Sequence, residues 1–186
     1  MSTNVYFVRH ADSTYTPEEL SRPLSEKGIK YARQVTKLLS EENITQVISS
    51  PYKRAIQTVE GIADFMGLNI SIMEDFKERK LAAKPVENFH EVVLMAWENL
   101  DFALPGGESG YSAQGRGVRS LKNSLDKYPE GNIVIGTHGN IMVLIMNYYD
   151  KNYNYDFWCN LDMPDIYKLS FEDGNLVAVQ HIWVKQ

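Results

Sequence analysis

Arginine and histidine side chains stand at three points where short apolar runs of the sequence end. Arg9-His10 follows the run NVYFV, Arg54 lies shortly after ITQVIS, and His138 follows NIVIG. Arginine offers a planar fork of N–H donors, and histidine can act as donor, acceptor, base or nucleophile near neutral pH. These residue types are suited to binding an anion and to doing chemistry on it.

The pattern of apolar residues predicts how these side chains are positioned. Runs rich in β-branched and aromatic residues alternate with segments of helical periodicity, which predicts an α/β fold with a largely parallel sheet. The predicted strands are residues 4–8, 44–49, 69–73 and 132–136. Near the end, Asp173-Gly174 separates two alternating runs, as in a tight hairpin, so the sheet is expected to be mixed with an antiparallel finish.

Five helices are expected between these strands. The first two are predicted to start at Ser25 and at Ser50-Pro51, with Ser50 as N-cap and Pro51 as the first helical residue. The others are predicted between Val86 and Asn99, from Tyr111 to Lys127, and from about Asn140. For the aromatic segment 147–158, an irregular surface stretch with partly buried rings and a binding lid both remain open.

Parallel strands bring their carboxyl ends to one edge of a sheet, where α/β proteins bind ligands. We therefore expect Arg9, His10, Arg54 and His138 to converge there, two of them beside helix N-termini that also favour an anion. Without an anion, four such groups would repel one another. The remaining histidines, His90 and His181, are predicted to pack or cap.

Composition narrows the possible partners and location. The chain has 186 residues, a formal net charge of −5 and no Lys/Arg-rich run, which disfavours nucleic-acid and anionic-membrane binding. A single cysteine, Cys159, excludes an intramolecular disulfide and a multi-cysteine metal site. No signal peptide or transmembrane run is apparent, so a soluble cytoplasmic protein with one domain, 1–186, is expected.

Several stretches in order resemble the histidine phosphatase superfamily, also called phosphoglycerate mutase-like. FVRHADS resembles its Arg-His-Gly signature, RPLSEKGIKYARQV its Leu-Thr-x-x-Gly helix start, and SSPYKRAIQT its Ser-Ser-Pro-x-x-Arg block. PGGES is similar to its Gly-Glu-Ser turn, and GTHGN to its second histidine motif. The resemblance covers nearly the whole chain and implies a three-layer α/β/α fold, phosphoglycerate mutase-like, with a mostly parallel mixed central sheet.

The resemblance also implies roles for the converging residues. His10 would attack phosphorus and carry a transient phosphohistidine, while Arg9, Arg54 and His138 would hold the phosphoryl oxygens. Ser13 and Gly139 are the further substrate-binding candidates.

Proton donation to the leaving oxygen needs another residue, because Gly139 follows His138 where the acid phosphatase branch has an aspartate. DFKERKLA resembles the Leu-x-Glu-Arg block of the mutase-like branch, which makes Glu78 the candidate general acid and Glu108 the reserve donor. Two positions depart from the family pattern: Ala11 replaces a glycine, and Thr16 stands where many members have a phosphate-contacting asparagine.

The resulting prediction is a metal-independent phosphomonoesterase, without a cofactor, that acts on a small phosphorylated metabolite. A phosphohistidine protein phosphatase, a phosphoglycerate mutase and a catalytically silent phospholigand-binding protein are the alternatives. Lys53, Arg79, Lys80 and Lys84 could favour a second anionic group on the substrate if their side chains face the site. The sequence indicates neither the substrate nor the oligomeric state.

Overall fold

In the computed structural model, which describes residues 2–185, six strands form one sheet in the order β3-β2-β4-β1-β5-β6. The strands are β1 Ser2–Arg9, β2 Gln46–Ser49, β3 Ile70–Ile72, β4 Asn132–Thr137, β5 Asp165–Glu172 and β6 Asn175–His181. The first four pair in parallel, whereas β5 runs antiparallel to both β1 and β6. The predicted mixed sheet with an antiparallel finish is confirmed.

Helices cover both faces of this sheet. They are α1 Glu26–Leu39, α2 Lys53–Met66, α3 Phe89–Glu98, α4 Gly110–Lys127, α5 Gly139–Tyr149 and α6 Tyr155–Cys159, with a 3-10 turn at Glu74–Phe76. Helices α1 and α2 pack on one face through one apolar core, and α4 and α5 on the other through a second core. The predicted three-layer α/β/α architecture is therefore confirmed.

Strand β1 lies inside the sheet and explains why its sequence is apolar on both faces. Val5 and Phe7 belong to the core beneath α4 and α5, whereas Tyr6 and Val8 belong to the core beneath α1 and α2. All four side chains are fully buried. Burial of this kind contributes about 1.5 to 3 kcal/mol per large apolar side chain, and it fixes the point at which the chain leaves the sheet at Arg9.

The start of α2 differs from the prediction. The helix begins at Lys53, and its N-cap residue is Tyr52, which makes no side-chain capping hydrogen bond. Ser50 is not the cap, because it lies three residues before the first helical residue, and its hydroxyl contacts the His138 ring and the Tyr52 amide. The N-cap assignment of Ser50, with Pro51 as first helical residue, was wrong.

Other local predictions agree with the structure. Ser25 caps α1 by accepting a hydrogen bond from the Gly28 amide. Asp173 and Gly174 both have positive φ, 48° and 78°, as a two-residue hairpin between β5 and β6 requires. Among residues 2–185, no helix has the length and apolar character to cross a membrane.

Candidate active site

His10 leaves the end of β1 and is buried at the carboxyl edge of the sheet. Its Nδ1 lies 2.8 Å from the Ala11 carbonyl oxygen, which can only accept, so Nδ1 carries the proton. The lone pair of the neutral ring is then on Nε2. Burial is the main reason why the pKa of His10 falls from 6.5 to about 3, and nearby arginine charges contribute. The ring is therefore neutral at pH 7 and can act as a nucleophile.

Arg54 contacts His10 directly from the first turn of α2. Its Nε donates to His10 Nε2 at 3.3 Å, and its Nη1 donates to the Glu19 carbonyl oxygen at 2.9 Å. Its Nη2 lies 3.1 Å from the Glu19 carboxylate. Burial lowers the pKa of Arg54, although an arginine remains charged at neutral pH.

Arg9, the last residue of β1, is held from one side only. Its Nη1 donates to the carbonyl oxygens of Leu161 and Asp162 at 3.3 and 3.0 Å. Its Nε is buried and has no hydrogen-bond partner among residues 2–185. A buried N–H without a partner is costly, so this edge of the guanidinium is suited to an anionic ligand.

His138 ends the turn between β4 and α5 and is fully buried. Its ring lies edge-on to the His10 ring, with 5.2 Å between the centroids. Its Nε2 is 2.7 Å from Ser50 Oγ, and its Nδ1 has no partner within the described chain. Burial, followed by the proximity of His10 and the arginines, holds the pKa of His138 well below 6.5.

The ring of Tyr52 borders both His138 and Arg54. The Tyr52 and His138 centroids are 4.9 Å apart, and the Arg54 guanidinium carbon lies 4.8 Å from the Tyr52 centroid. Burial raises the pKa of Tyr52, so its phenol is neutral. This aromatic wall reduces the access of water to the two basic groups.

Glu78 is anchored at the start of α5, directly after His138. Its Oε1 accepts from the amides of Arg79 and Ile141, each at 2.8 Å. Its Oε2 accepts from the Asn140 amide alone, at 3.0 Å. Because Oε2 carries only one of these three bonds, it has the greater capacity for a proton or a further ligand. The structure thus places Glu78 next to the histidine and arginine cluster, not among solvated surface charges.

Glu108, the reserve donor, is held by a different group. Its carboxylate forms a bidentate ion pair with Arg116, in which Nε donates to Oε1 at 2.8 Å and Nη2 donates to Oε2 at 2.9 Å. Arg116 also donates to the carbonyl oxygens of Lys77 and Glu78. Arg116 therefore links α4 both to Glu108 and to the loop that carries Glu78.

The remaining candidates lie around this cluster. Gly139 allows a close approach, since a Cβ there would lie 3.0 Å from Arg9 Nε. Ser13 is half-buried and forms an isolated bridge with Leu24, but no hydrogen bond of its side chain reaches the cluster within residues 2–185. Thr16 is not directed into the cluster either, as its hydroxyl donates to the Glu18 carbonyl. Ala11 is buried without a positive φ, so the missing glycine causes no backbone strain.

Two charged residues of the cluster are not predicted from the local motifs. Glu19 pairs with Arg54, and Arg22 lies 2.6 Å from Glu19 while its positive charge contributes to the low pKa of His10. Neither residue follows a strand, so the strand-exit pattern could not find them. The Arg-Pro-Leu stretch that includes Arg22 was the available signal.

The two other histidines lie outside the cluster. His90 is exposed on α3, its ring against Phe89. His181 forms a 2.6 Å hydrogen bond with the buried Asp165 and stacks on Tyr167. Asp165 in turn accepts from the Asp162 amide, so it holds the segment whose carbonyls bind Arg9. In the part of the chain that the structure describes, no group of three or more His, Cys, Asp or Glu side chains is arranged as a metal site.

Comparison with known proteins agrees with this geometry. The family described as "Histidine phosphatase superfamily (branch 1)" matches residues 5–183. The chain belongs to this superfamily. Its placement there confirms the resemblance and the predicted class of enzyme, one that hydrolyses phosphate esters.

Individual relatives support the same placement of this histidine phosphatase. "Uncharacterized phosphatase PhoE" of Bacillus subtilis (strain 168) is 26% identical over 142 residues, covering 74% of this chain and 72% of the relative. The structure of a mycobacterial glucosyl-3-phosphoglycerate phosphatase has a TM-score of 0.80 at 18% identity and covers 98% of this chain and 99% of that one. A phosphoglycerate mutase from Bacillus anthracis str. Sterne has a TM-score of 0.76 at 15% identity, covering 97% and 92%. The two structures show a shared fold.

Proposed function

We propose that this histidine phosphatase is a metal-independent phosphomonoesterase that hydrolyses a small phosphorylated metabolite through a phosphohistidine at His10. One observation carries the proposal. A neutral His10, with its lone pair on Nε2, lies beside two buried atoms without partners among residues 2–185, Arg9 Nε and His138 Nδ1. This combination suits a phosphoryl group that is attacked from one side and held by donors on its other oxygens.

In the first step, His10 Nε2 attacks phosphorus and the bond from phosphorus to the ester oxygen breaks. Arg9 and Arg54 hold the equatorial oxygens, where fixed positive charge stabilises the transition state. Arg54 already donates to Nε2 at 3.3 Å, so its Nε would move from the lone pair to an incoming phosphoryl oxygen.

His138 would add one neutral donor. Ser50 Oγ lies 2.7 Å from Nε2 and also within 3.4 Å of the Tyr52 amide, which can only donate. The serine hydroxyl can therefore donate to Nε2, and in that arrangement the proton of the neutral His138 ring is on Nδ1. The Nδ1–H can then bind a phosphoryl oxygen.

Glu78 would move the protons. Its carboxyl gives a proton to the leaving alkoxide in the first step and, as the carboxylate, accepts one from the water that attacks phosphohistidine in the second. Oε2 is the better-placed oxygen, because its only backbone donor is Asn140. The products are the alcohol and inorganic phosphate, and His10 returns to its neutral form.

The test is hydrolysis of p-nitrophenyl phosphate in the presence of EDTA, with vanadate as inhibitor. We expect turnover without a divalent metal and inhibition by vanadate, which can adopt the geometry of a pentacoordinate phosphoryl group. A rapid quench without acid, using a 32P-labelled substrate, should trap acid-labile and base-stable label on His10. Activity that disappears with EDTA and returns with Mg²⁺, or label on His138 or a serine, would refute the proposal.

A further inference from the structure

Trp158 of α6 lies at the edge of the candidate phosphate site. A Cβ added to Gly139 would be 3.3 Å from Trp158 Nε1 and 3.0 Å from Arg9 Nε. The indole and the guanidinium therefore border the same point, immediately after His138. Trp158 is only half-buried, so part of it faces solvent beside the cluster.

Two further aromatic rings adjoin Trp158. The Phe89 and Tyr155 centroids lie 6.4 and 5.9 Å from that of Trp158. Phe89 begins α3 and is 45% exposed, so a different element of the fold contributes it. We call Phe89, Tyr155 and Trp158 the aromatic rim. Partly exposed aromatic rings from α3 and α6 next to a ligand site are suited to binding an apolar or flat ligand group.

The segment that carries two of the three rim residues has an acidic composition. The segment 150–165 carries four aspartates and one lysine. Arg79, which could have bound a second anion, instead donates to the carbonyl oxygens of Ala96, Phe102 and Glu108 and is buried. Its donors hold the backbone and are not free for a substrate.

We propose that Trp158 and Phe89 bind the alcohol portion of the substrate, and that this portion carries an uncharged aromatic ring. The inference rests on the proposed phosphomonoesterase function and names its substrate class. The phosphoryl group lies against Arg9, and the ring of the alcohol packs against the indole next to it. The acidic composition around Trp158 and the engaged donors of Arg79 both favour an uncharged substituent over a carboxylate.

The test compares three esters that share a primary alkoxide leaving group: ethyl phosphate, 3-phenylpropyl phosphate and 3-carboxypropyl phosphate. Because the bond that breaks is the same, differences in kcat/KM report binding of the remainder. Contacts of a ring with two aromatic side chains are expected to raise kcat/KM for the phenylpropyl ester about tenfold over the ethyl ester. The carboxypropyl ester should not exceed the ethyl ester.

Variants of the aromatic rim test whether these residues cause the preference for the phenylpropyl ester. Trp158→Leu and Phe89→Leu should each lower the ratio of phenylpropyl to ethyl kcat/KM by at least about threefold, and Trp158→Phe should retain most of it. Phe65→Leu is the matched control, since Phe65 is an exposed aromatic residue of α2. Its ratio should equal that of the unaltered protein.

The outcomes separate the inference from the function on which it rests. Failure to hydrolyse any ester, p-nitrophenyl phosphate included, refutes the proposed function. Three results would overturn the aromatic substrate class: hydrolysis without a preference for the phenylpropyl ester, a preference for the carboxypropyl ester, or a ratio that is unchanged in Trp158→Leu. None of these results contradicts the proposed phosphomonoesterase activity.

Discussion

Arg54 Nε lies 3.3 Å from His10 Nε2 and donates to the lone pair that attack on phosphorus requires. In this arrangement the arginine orients the imidazole while it also occupies the nucleophilic atom. An incoming phosphoryl oxygen can take over that N–H, which frees the lone pair as the substrate arrives. The Glu19 carboxylate, 3.1 Å from Nη2, holds the other side of the fork during this exchange.

Replacing Arg54 by lysine should therefore be nearly as damaging as replacing it by alanine. Lysine keeps the charge but cannot contact His10, Glu19 and a phosphoryl oxygen with one planar group. We expect kcat/KM for p-nitrophenyl phosphate to fall by about 10²-fold in both variants. Arg33→Lys, at an exposed position of α1, should have no effect. Activity close to normal in Arg54→Lys would mean that local charge alone matters.

The residues that follow the predicted strands could be placed from the sequence. Arg9, His10 and His138 follow short apolar runs rich in β-branched residues, which are typical of buried strands, and a parallel sheet brings the ends of such strands together. Arg54 follows β2 at the start of a helix, so its position could be derived in the same way. The fold class and the convergence of these side chains were thus predictable from local patterns.

Contacts between distant segments were not predictable in this way. Ser50 stands before a proline, a pattern typical of a helix N-terminus. Only the tertiary structure brings its hydroxyl to His138. The sequence around Glu108 does not indicate that its carboxylate pairs with Arg116 on α4. Trp158 lies near Gly139 only because α6 packs against α5.

The contact between Ser50 and His138 can be tested by Ser50→Ala. Loss of the hydroxyl leaves His138 Nε2 buried without a partner and removes the donor that favours a proton on Nδ1. We expect kcat for p-nitrophenyl phosphate to fall by about 10-fold, an effect similar to the loss of one net hydrogen bond in the transition state. Ser49→Ala is the matched control, because Ser49 is equally buried and donates only to the Ser50 carbonyl. Equal losses in the two variants would assign Ser50 a packing role.

Glu78→Gln should distinguish a proton donor from a binding residue. An alkyl alcohol needs a proton as it leaves, whereas nitrophenolate leaves readily as an anion. General-acid help typically contributes about 10² to 10⁴ in rate, so phosphorylation of His10 by alkyl phosphates should fall far more than by p-nitrophenyl phosphate. The rates must be pre-steady-state, because the second step also uses Glu78 as a base.

The structure explains why the comparison must use a ratio. A glutamine NH₂ in place of Oε2 would face the Asn140 amide, itself a donor, so some loss of stability is expected in any case. That loss affects both substrates equally and cancels in the ratio. Equal reductions for the two leaving groups would contradict the general-acid role. The same comparison with Glu108→Gln, which breaks the pair with Arg116, should give equal reductions.

The low pKa of His10 should appear in the pH dependence of stability. In the unfolded chain a histidine titrates near 6.5, whereas burial keeps His10 neutral in the folded protein down to about pH 3. Between these values the unfolded state binds more protons, so the free energy of unfolding must decrease as pH falls below 6.5. From pH 7 to pH 5, His10 alone contributes a loss of about 2 kcal/mol. Urea unfolding gives the free energy of unfolding at pH 7 and at pH 5. The decrease between the two pH values should be about 2 kcal/mol smaller in His10→Gln than in the unaltered protein. It should be unchanged in His90→Gln, because His90 is exposed. If His10→Gln kept the full change in the free energy of unfolding, His10 would bind its proton equally well in the folded and unfolded states. Burial would then not explain a neutral His10.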